Sequence, residues 1–365
     1  MNNNELYMMD CISLAMKGNG YVSPNPMVVC VIFKNNRIIG NGYHKGYGKP
    51  HAEVNAINCA IKNGHNLRGS TMYVNLEPCT HFGKTPPCTD EIIKHRIKKV
   101  YIGIKDPNKS VNGKGIKKLR DAGIDVQYNI LKNECKELNK IFIKNVTYKL
   151  PYITLKIAQS IDGKIALKNF QSKYITSDKS RKFVYNLRSG YDAVLIGTKT
   201  AYYDNPDLTT HSKNKNEPIR IVIDRDFKLQ SNLKMFSDDY SNKTIRIISE
   251  SKYNNIFDNI IHLKTVEESF QIIDILKELY NRGIMSLLVE GGANIFSQFI
   301  ITGLFDDIYF IVAPKILGEG LSSFDYLSNN KIADANNLKL ISIKQLKHDL
   351  IIYYKKENVH RNSNR

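Results

Sequence analysis

The chain has 365 residues, of which 42% are hydrophobic and 24% are charged, a composition typical of a globular protein. This length exceeds what one core usually needs, so we expect two domains of roughly 150 to 200 residues each. No apolar run approaches the roughly 20 residues that cross a bilayer, so we expect no membrane partner.

The charge balance is strongly basic, with 53 lysines and arginines against 35 acidic residues and a formal net charge of +18. Such a charge can attract nucleic acid or a phosphorylated metabolite. The basic residues are scattered without a consecutive block, so we predict no nucleic-acid partner. The first twenty residues lack a basic stretch followed by an apolar core, and six cysteines do not make a disulfide scaffold, so we expect a cytoplasmic protein.

The amino-terminal half alternates helix and strand patterns. Periodicity predicts helices over 5–17, 51–61, 90–98, 115–122 and 132–145, and strands over 27–34, 37–44, 71–79, 99–104 and 124–131. This alternation is typical of an α/β layered domain. Gly113-Lys114-Gly115 is similar to a nucleotide-binding loop, but it lacks a third glycine, so we interpret it as a turn.

One histidine and two cysteines form the most informative motif of this half. His51 and Glu53 stand at the predicted start of a helix, and eight residues separate Cys79 from Cys88. Three such ligands leave the fourth position of a tetrahedral zinc ion for water, which is a catalytic arrangement. Glu53 is close enough in sequence to move protons between that water and a leaving amine. The motif predicts hydrolytic deamination, although nucleobase deaminases usually have C-x-x-C spacing.

The carboxy-terminal half begins after a seam at 149–151, so we predict domains over 1–147 and 151–365. Its predicted strands are 152–160, 192–196, 220–224, 244–248, 286–289, 307–313 and 350–354. The strand that ends at Val289 continues through Glu290-Gly291-Gly292 into an apolar helix, whose first amides can bind phosphate. The full GxGxxG motif is missing, so packing geometry is an equal alternative.

Six segments then stand in one order along the chain: HAEVNAI, LEPCTHFGKTPPC, SIDGKIA, YITS, DNPDLTT and VEGGAN. Together they resemble the bifunctional deaminase/reductase family of riboflavin biosynthesis over essentially the whole chain. The eight-residue cysteine gap with its Thr-Pro-Pro sequence is more specific than a generic deaminase motif. The resemblance implies a two-domain α/β protein, with a cytidine-deaminase-like α/β/α sandwich followed by a dihydrofolate-reductase-like α/β domain.

The resemblance also implies two successive reactions on a small-molecule phosphoribosylaminopyrimidine. The first is zinc-dependent hydrolytic deamination of 2,5-diamino-6-(5-phosphoribosylamino)pyrimidin-4(3H)-one in the amino-terminal domain. The second is NADPH-dependent reduction of the ribosyl side chain to ribityl in the carboxy-terminal domain. The implied cofactors are one Zn²⁺ per chain and NADPH, and we expect a homo-oligomer.

Site residues follow from the resemblance position by position. Zinc is assigned to His51, Cys79 and Cys88, with Glu53 as the catalytic proton shuttle. The first substrate is assigned to Asn25, His44 and Lys84. The reductase substrate is assigned to Lys156, Ser172, Arg188, Leu208, His211 and Glu290. NADPH is assigned to Ala158, Tyr174, Thr200, Asp204, Gly292, Ala293, Asn294, Ile295, Phe296, Ser297 and Gln298.

Two positions depart from the family pattern. Tryptophan is common where Tyr174 stands, and tyrosine offers a smaller stacking face. Arginine is common where His211 stands, and a neutral imidazole holds a phosphate dianion less firmly than a bidentate guanidinium does. Asp204 is a candidate proton donor for the reduction, with a loop cap or a cofactor contact as the alternative.

Two rival functions remain at this point. The first is a nucleic-acid base deaminase with an accessory domain, which salt-dependent RNA affinity would favour. The second is a binding protein whose zinc is structural, with His81 as a fourth protein ligand.

Overall fold

The structure, a computed structural model, describes residues 2–82, 86–109, 111–251, 259–328 and 331–357. The chain divides into two compact units, Met1–Lys149 and Leu150–Arg365. None of the helices in the described part of the chain combines the length and the apolar character that membrane crossing requires.

The amino-terminal unit is built on a five-stranded sheet in the order β2-β1-β3-β4-β5. Its strands are β1 (Val29–Lys34), β2 (Arg37–Tyr43), β3 (Thr71–Leu76), β4 (Lys99–Ile104) and β5 (Asp125–Tyr128). Its helices are α1 (Asn3–Ala15), α2 (Ala52–Lys62), α3 (Cys88–Lys94), α4 (Lys114–Asp121), α5 (Lys132–Leu138) and α6 (Lys140–Tyr148). Strands β3, β4 and β5 are parallel, whereas β1 runs antiparallel to β2 and β3.

Separate apolar clusters cover the two faces of this sheet. One cluster contains Ile57 of α2 and Leu119 of α4, and the other contains Met8 of α1 and Leu138 of α5. Strands buried on both faces are apolar nearly throughout, as the β1 sequence VCVIFK is. The predicted α/β/α sandwich is confirmed.

Two predicted helices differ most from the structure in their boundaries. The helix predicted over 132–145 is two helices, α5 and α6, because the backbone leaves helical geometry at Asn139. The Asn139 side-chain oxygen accepts a hydrogen bond from Met27 N at 2.8 Å, a distant partner that periodicity does not register. The helix predicted over 90–98 begins earlier, at Cys88, and ends at Lys94.

The carboxy-terminal unit is built on a nine-stranded sheet in the order β11-β10-β9-β8-β12-β6-β13-β16-β15. Its strands, with the separate pair β7 and β14, are β6 (Tyr152–Ser160), β7 (Lys164–Leu167), β8 (Ala193–Gly197), β9 (Ile219–Ile223), β10 (Thr244–Ser249), β11 (Ile260–Leu263), β12 (Ser286–Gly291), β13 (Asp307–Ala313), β14 (Gly320–Ser322), β15 (Leu338–Leu346) and β16 (Asp349–Lys356). Its helices are α7 (Asp178–Arg188), α8 (Thr198–Asp204), α9 (Lys234–Ser237), α10 (Ile272–Asn281) and α11 (Ala293–Thr302).

Neighbouring strands of this sheet are parallel except around β16, which is antiparallel to β13 and β15. The predicted mixed α/β class is confirmed. The sequence patterns missed β7, β11, β14 and β15. Three of these strands are only three or four residues long, and β15 lies at the sheet edge with nearly every side chain exposed.

Helix α11 offers a matched test of how much the core stabilises this unit. Phe299 is fully buried in the cluster that packs on the sheet, whereas Ile301, two residues later, is 62% exposed. We expect Phe299→Ala to lower the free energy of unfolding by about 3–5 kcal/mol. Ile301→Ala should change it by less than about 0.5 kcal/mol. Denaturant unfolding followed by circular dichroism measures both, and equal losses would contradict this packing.

Candidate active sites

Three metal-binding side chains meet at the carboxyl end of β3. His51 directly precedes α2, Cys88 is the first residue of α3, and Cys79 follows β3. Their ligand atoms all lie within 4.8 Å of one another. His51 Nδ1 is 3.3 Å from Cys88 Sγ and 3.6 Å from Cys79 Sγ. One imidazole and two thiols form a donor set that suits Zn²⁺.

The thiols of Cys79 and Cys88 are hydrogen-bonded to each other, and their pKa values shift in opposite directions. A hydrogen bond from the Cys88 thiol, supported by one from His51, lowers the pKa of Cys79 to about 4. The same pairing, together with burial, raises the pKa of Cys88 above its ordinary value. Binding of a cation displaces the remaining proton. Among the described residues the cluster holds these three ligands alone, and His81 is not one of them, which argues against a closed four-ligand site.

Glu53 lies in the first turn of α2, beside the metal ligands, with only 3% of its surface exposed. Burial, with a contribution from the charge of Cys79, raises the pKa of Glu53 to about 7. A carboxyl group with this pKa can both accept and release a proton near neutral pH. The position and the pKa therefore suit a proton shuttle.

A cavity of about 290 Å³ opens onto this cluster. Five predicted site residues line it: Asn25, His44, His51, Glu53 and Cys79. Asn25 Nδ2 lies 2.9 Å from His44 Nε2, and His44 Nδ1 lies 3.2 Å from the carbonyl oxygen of Pro50. Burial lowers the pKa of His44, which favours the neutral form of its ring. Lys84, the third predicted contact of the first substrate, lies outside the described residues.

Sequence reasoning missed several residues that line this cavity: Tyr47, Lys49, Glu77, Asp106, Asn108, Val111 and Phe142. A signal for two of them exists in the sequence. Asp106 and Asn108 lie two and four residues after the end of β4, and the carboxyl ends of neighbouring parallel strands meet at one edge of the sheet. Burial raises the pKa of Asp106 to about 6.

A second cavity, of about 300 Å³, lies in the carboxy-terminal unit at the carboxyl ends of β6 and β12. All six residues predicted to bind the second substrate line it: Lys156, Ser172, Arg188, Leu208, His211 and Glu290. The structure therefore brings together side chains that are separated by up to 134 positions in the sequence, from 156 to 290.

A buried ion cluster organises this cavity. Arg188 donates to both oxygens of Glu290, at 2.6 and 2.9 Å, and Lys156 Nζ lies 3.0 Å from Glu290 Oε2. Burial opposes ionisation of Glu290, but the positive charges of Arg188 and Lys156 outweigh it and lower the pKa of Glu290 to about 2. Arg188 also donates to the carbonyl oxygen of Thr209 at 2.8 Å. The cluster thus presents fixed charge to a polar ligand.

The two positions that depart from the family pattern have local partners. The Arg181 guanidinium lies 4.0 Å from the centre of the Tyr174 ring, which is 62% exposed at the cavity. His211 Nε2 lies 3.2 Å from Asp207 Oδ2, and the His211 ring lies 4.2 Å from that of Tyr185. Sequence reasoning missed Arg181, Tyr185 and Asp207, although all three line this cavity.

A larger cavity, of about 550 Å³, adjoins the second. Seven residues of the predicted NADPH contacts line it: Thr200, Asp204, Gly292, Ala293, Asn294, Ile295 and Gln298. Gly291 has a φ of +155°, and a Cβ atom at Gly291 or Gly292 would lie 3.1 Å from Thr200 Oγ1. The glycine pair thus keeps open a cradle at the start of α11, which fits the approach of a phosphate-bearing cofactor.

The remaining predicted NADPH contacts lie elsewhere. Ala158, Tyr174 and Phe296 line the 300 Å³ cavity, whereas Ser297 is fully buried and lines neither cavity. The two cavities share part of their lining, including Ser172, Thr200, Asp204 and Gly292. At this shared wall, Ser172 donates to Asp204 Oδ1 at 2.5 Å.

Comparison with known proteins finds a matching family model for each unit. The family model of the cytidine and deoxycytidylate deaminase zinc-binding region matches residues 1–104, and that of the RibD C-terminal domain matches residues 151–352. The riboflavin biosynthesis protein RibD of Aquifex aeolicus is 41% identical over 96% of this chain and 98% of its own. RibD of Escherichia coli is 33% identical over 96% and 98%.

Solved structures agree in fold over nearly the whole chain. A diaminohydroxyphosphoribosylaminopyrimidine deaminase/5-amino-6-(5-phosphoribosylamino)uracil reductase from Thermotoga maritima has a TM-score of 0.87 and 39% identity, covering 97% of this chain and 98% of its own. RibD of Acinetobacter baumannii has a TM-score of 0.87 and 32% identity, with 97% and 99% coverage. The chain therefore belongs to the RibD family of riboflavin biosynthesis, with a zinc-dependent deaminase domain and an NADPH-dependent reductase domain.

Proposed function

We propose that this enzyme deaminates 2,5-diamino-6-(5-phosphoribosylamino)pyrimidin-4(3H)-one and then reduces the ribosyl side chain of the product to a ribityl chain. The observation that carries the proposal is the cluster of His51, Cys79 and Cys88 beside a buried Glu53, in a chain that also carries the reductase cavities. The match with RibD proteins over nearly the whole chain favours this function over that of a nucleic-acid base deaminase.

In the deaminase unit, His51, Cys79 and Cys88 would hold the zinc ion, which would supply Lewis acidity for the attack of water on the amino-bearing ring carbon. Glu53 accepts a proton at its carboxylate and releases it to the departing amine, as its pKa of about 7 allows. Asn25 and His44, which lie 2.9 Å apart, orient the pyrimidine ring. Lys84 remains our proposed phosphate contact on the strength of its motif.

In the reductase unit, the residues around Gly292 and the start of α11 would hold NADPH, which would supply the hydride for reduction of the ring-opened sugar. Lys156, Arg188 and Glu290 bind and orient the polar side chain in the 300 Å³ cavity. Ser172 and Asp204 lie in the wall that this cavity shares with the larger one, so they can hold a proton beside the reacting carbon. His211 binds the substrate phosphate more weakly than an arginine would.

We also propose that the chain forms a homo-oligomer and has no nucleic-acid partner. The edge strand β15 exposes Leu340, Ile341 and Ile343, which supports association between subunits. The scattered distribution of the lysines supports the absence of a nucleic-acid partner.

The decisive test supplies the diaminopyrimidinone and NADPH to the purified full chain and follows ammonia release and NADPH absorbance separately. We expect both signals, with ammonia appearing first. Removal of zinc by a chelator should abolish ammonia release and leave NADPH oxidation intact when the deaminated substrate is supplied. Ammonia release without NADPH oxidation would show that the protein has the deaminase activity but lacks the reductase activity.

Glu53→Gln tests the proton shuttle. The amide cannot accept and release the proton, so we expect the kcat of deamination to fall by about 10²- to 10⁴-fold. Metal analysis should still find one zinc per chain, and NADPH oxidation with the deaminated substrate should be unchanged. A variant that keeps zinc and more than a tenth of the wild-type kcat would remove Glu53 from the mechanism.

Lys156→Met tests substrate binding in the reductase unit. Methionine retains most of the packing volume but removes the cation, so we expect kcat/KM for the deaminated substrate to fall by about 10- to 100-fold. Lys168→Met is the matched control, since the exposed Glu319 is the one ion-pair partner of Lys168 among the described residues. Equal kinetics for the two variants would exclude Lys156 from the site, and ammonia release should be the same in both.

A further inference from the structure

Backbone amides of the Gly113-Lys114-Gly115 turn donate hydrogen bonds to the side-chain carboxylate of Glu77. Glu77 follows β3 directly, has 3% of its surface exposed and accepts four backbone hydrogen bonds. Its Oε2 atom accepts from Asp106 N at 3.1 Å and Gly113 N at 2.9 Å. Its Oε1 atom accepts from Gly115 N at 2.9 Å and Ile116 N at 3.2 Å.

These bonds join the two ends of one loop. The Asp106 loop, defined by the described residues 106–109 and 111–113, begins after β4 and ends at α4. A single oxygen of Glu77 holds both its first amide, at Asp106, and its last, at Gly113. Because ordering a loop costs conformational entropy, this clamp stabilises one geometry of the segment.

The clamped loop forms one wall of the deaminase cavity. Asp106, Asn108 and Val111 line the cavity together with His51 and Glu53. Within the loop, Asn108 N donates to Asp106 Oδ1 at 2.8 Å and Val111 N donates to the carbonyl oxygen of Asn108 at 2.9 Å. The position of these side chains thus depends on the carboxylate that holds the loop ends.

The backbone is built for this close approach. A Cβ atom at position 115 would lie 2.2 Å from the carbonyl oxygen of Pro78 and 3.1 Å from Glu77 Cγ, so only glycine allows the contact. Gly113 has a φ of +78°, which glycine adopts readily. Both glycines of the motif therefore serve the clamp.

We propose that Glu77 is a positioning residue of the deaminase site, which acts on substrate binding through the Asp106 loop. Zinc binding by His51, Cys79 and Cys88 does not depend on it. This inference rests on the proposed deaminase function. It assigns to Glu77 a role in KM, since Glu77 lines the cavity but both of its carboxylate oxygens are engaged by backbone amides of the loop and of the start of α4.

Glu77→Gln tests the proposal in the full chain. The amide group turns an acceptor into a donor that faces two N–H groups, so the loop ends separate. We expect KM for the diaminopyrimidinone to rise at least about tenfold while kcat falls less than about threefold. Zinc should remain at one per chain and reductase kinetics unchanged. Glu91→Gln, an equal charge change in the exposed pair with Lys94, should behave as wild type.

Two further measurements separate positioning from general stability. If Glu77 acts through the loop, the KM effects of Glu77→Gln and Asn108→Ala should be non-additive, with the double variant within about twofold of the worse single one. Glu77→Asp keeps the charge on a shorter side chain and should give an intermediate KM with full zinc. A wild-type KM in zinc-loaded Glu77→Gln or Glu77→Asp, or fully additive effects, would overturn the proposal. Absence of ammonia release by the wild-type chain would instead overturn the proposed function.

Discussion

Hydrogen bonding along buried parallel strands constrains where chemistry can take place in both units. Strands β3 and β4, like β6 and β12, pair along their lengths and are covered by apolar clusters. The polar site residues therefore gather beyond the end of β3 and, in the second unit, where the last residues of β12 meet Lys156 of β6. Cys79 follows β3, and Glu290 lies at the end of β12. The metal ligands and the ion cluster are consequences of this shared constraint.

The reductase cavity depends on charges that are costly to bury alone. The side chain of Glu290 is only 5% exposed, and its desolvation is offset by the charges of Arg188 and Lys156. The Arg188 guanidinium in turn holds the carbonyl oxygen of Thr209, so the segment after Asp207 is tied to the same cluster. Electrostatic compensation and substrate-site geometry are therefore two aspects of one arrangement.

The deaminase site was largely predictable from the sequence, and the reductase site was predictable only through resemblance. His51, Glu53 and the cysteine pair follow a spacing with direct chemical meaning, and the structure gathers them around one cluster. The reductase contacts come from positions with no local signal, since Lys156 and Glu290 meet only when β6 and β12 pair. Ser297 shows why a continuous run of assigned contacts is imprecise. Adjacent positions of a helix face different sides, so part of the run lines the cavity while Ser297 is buried in the core.

Glu77 was not predictable because its partners are backbone amides 29 to 39 positions away, and backbone groups carry no sequence signature. The glycines of the turn gave half of the signal, namely an anion-binding shape. The anion that these amides bind is Glu77, which belongs to the cysteine motif and lies two residues before Cys79. Similarly, the break at Asn139 is set by its bond to Met27, which no local period encodes.

The common wall of the two reductase cavities makes their binding equilibria thermodynamically linked. Ser172, Thr200, Asp204 and Gly292 contribute to both cavities, so a molecule held in one becomes part of the surface that the other ligand meets. By reciprocity, whatever change NADPH makes to the affinity for the sugar, the sugar makes to the affinity for NADPH. The order in which the two ligands arrive can alter the kinetics of the complex but not its free energy.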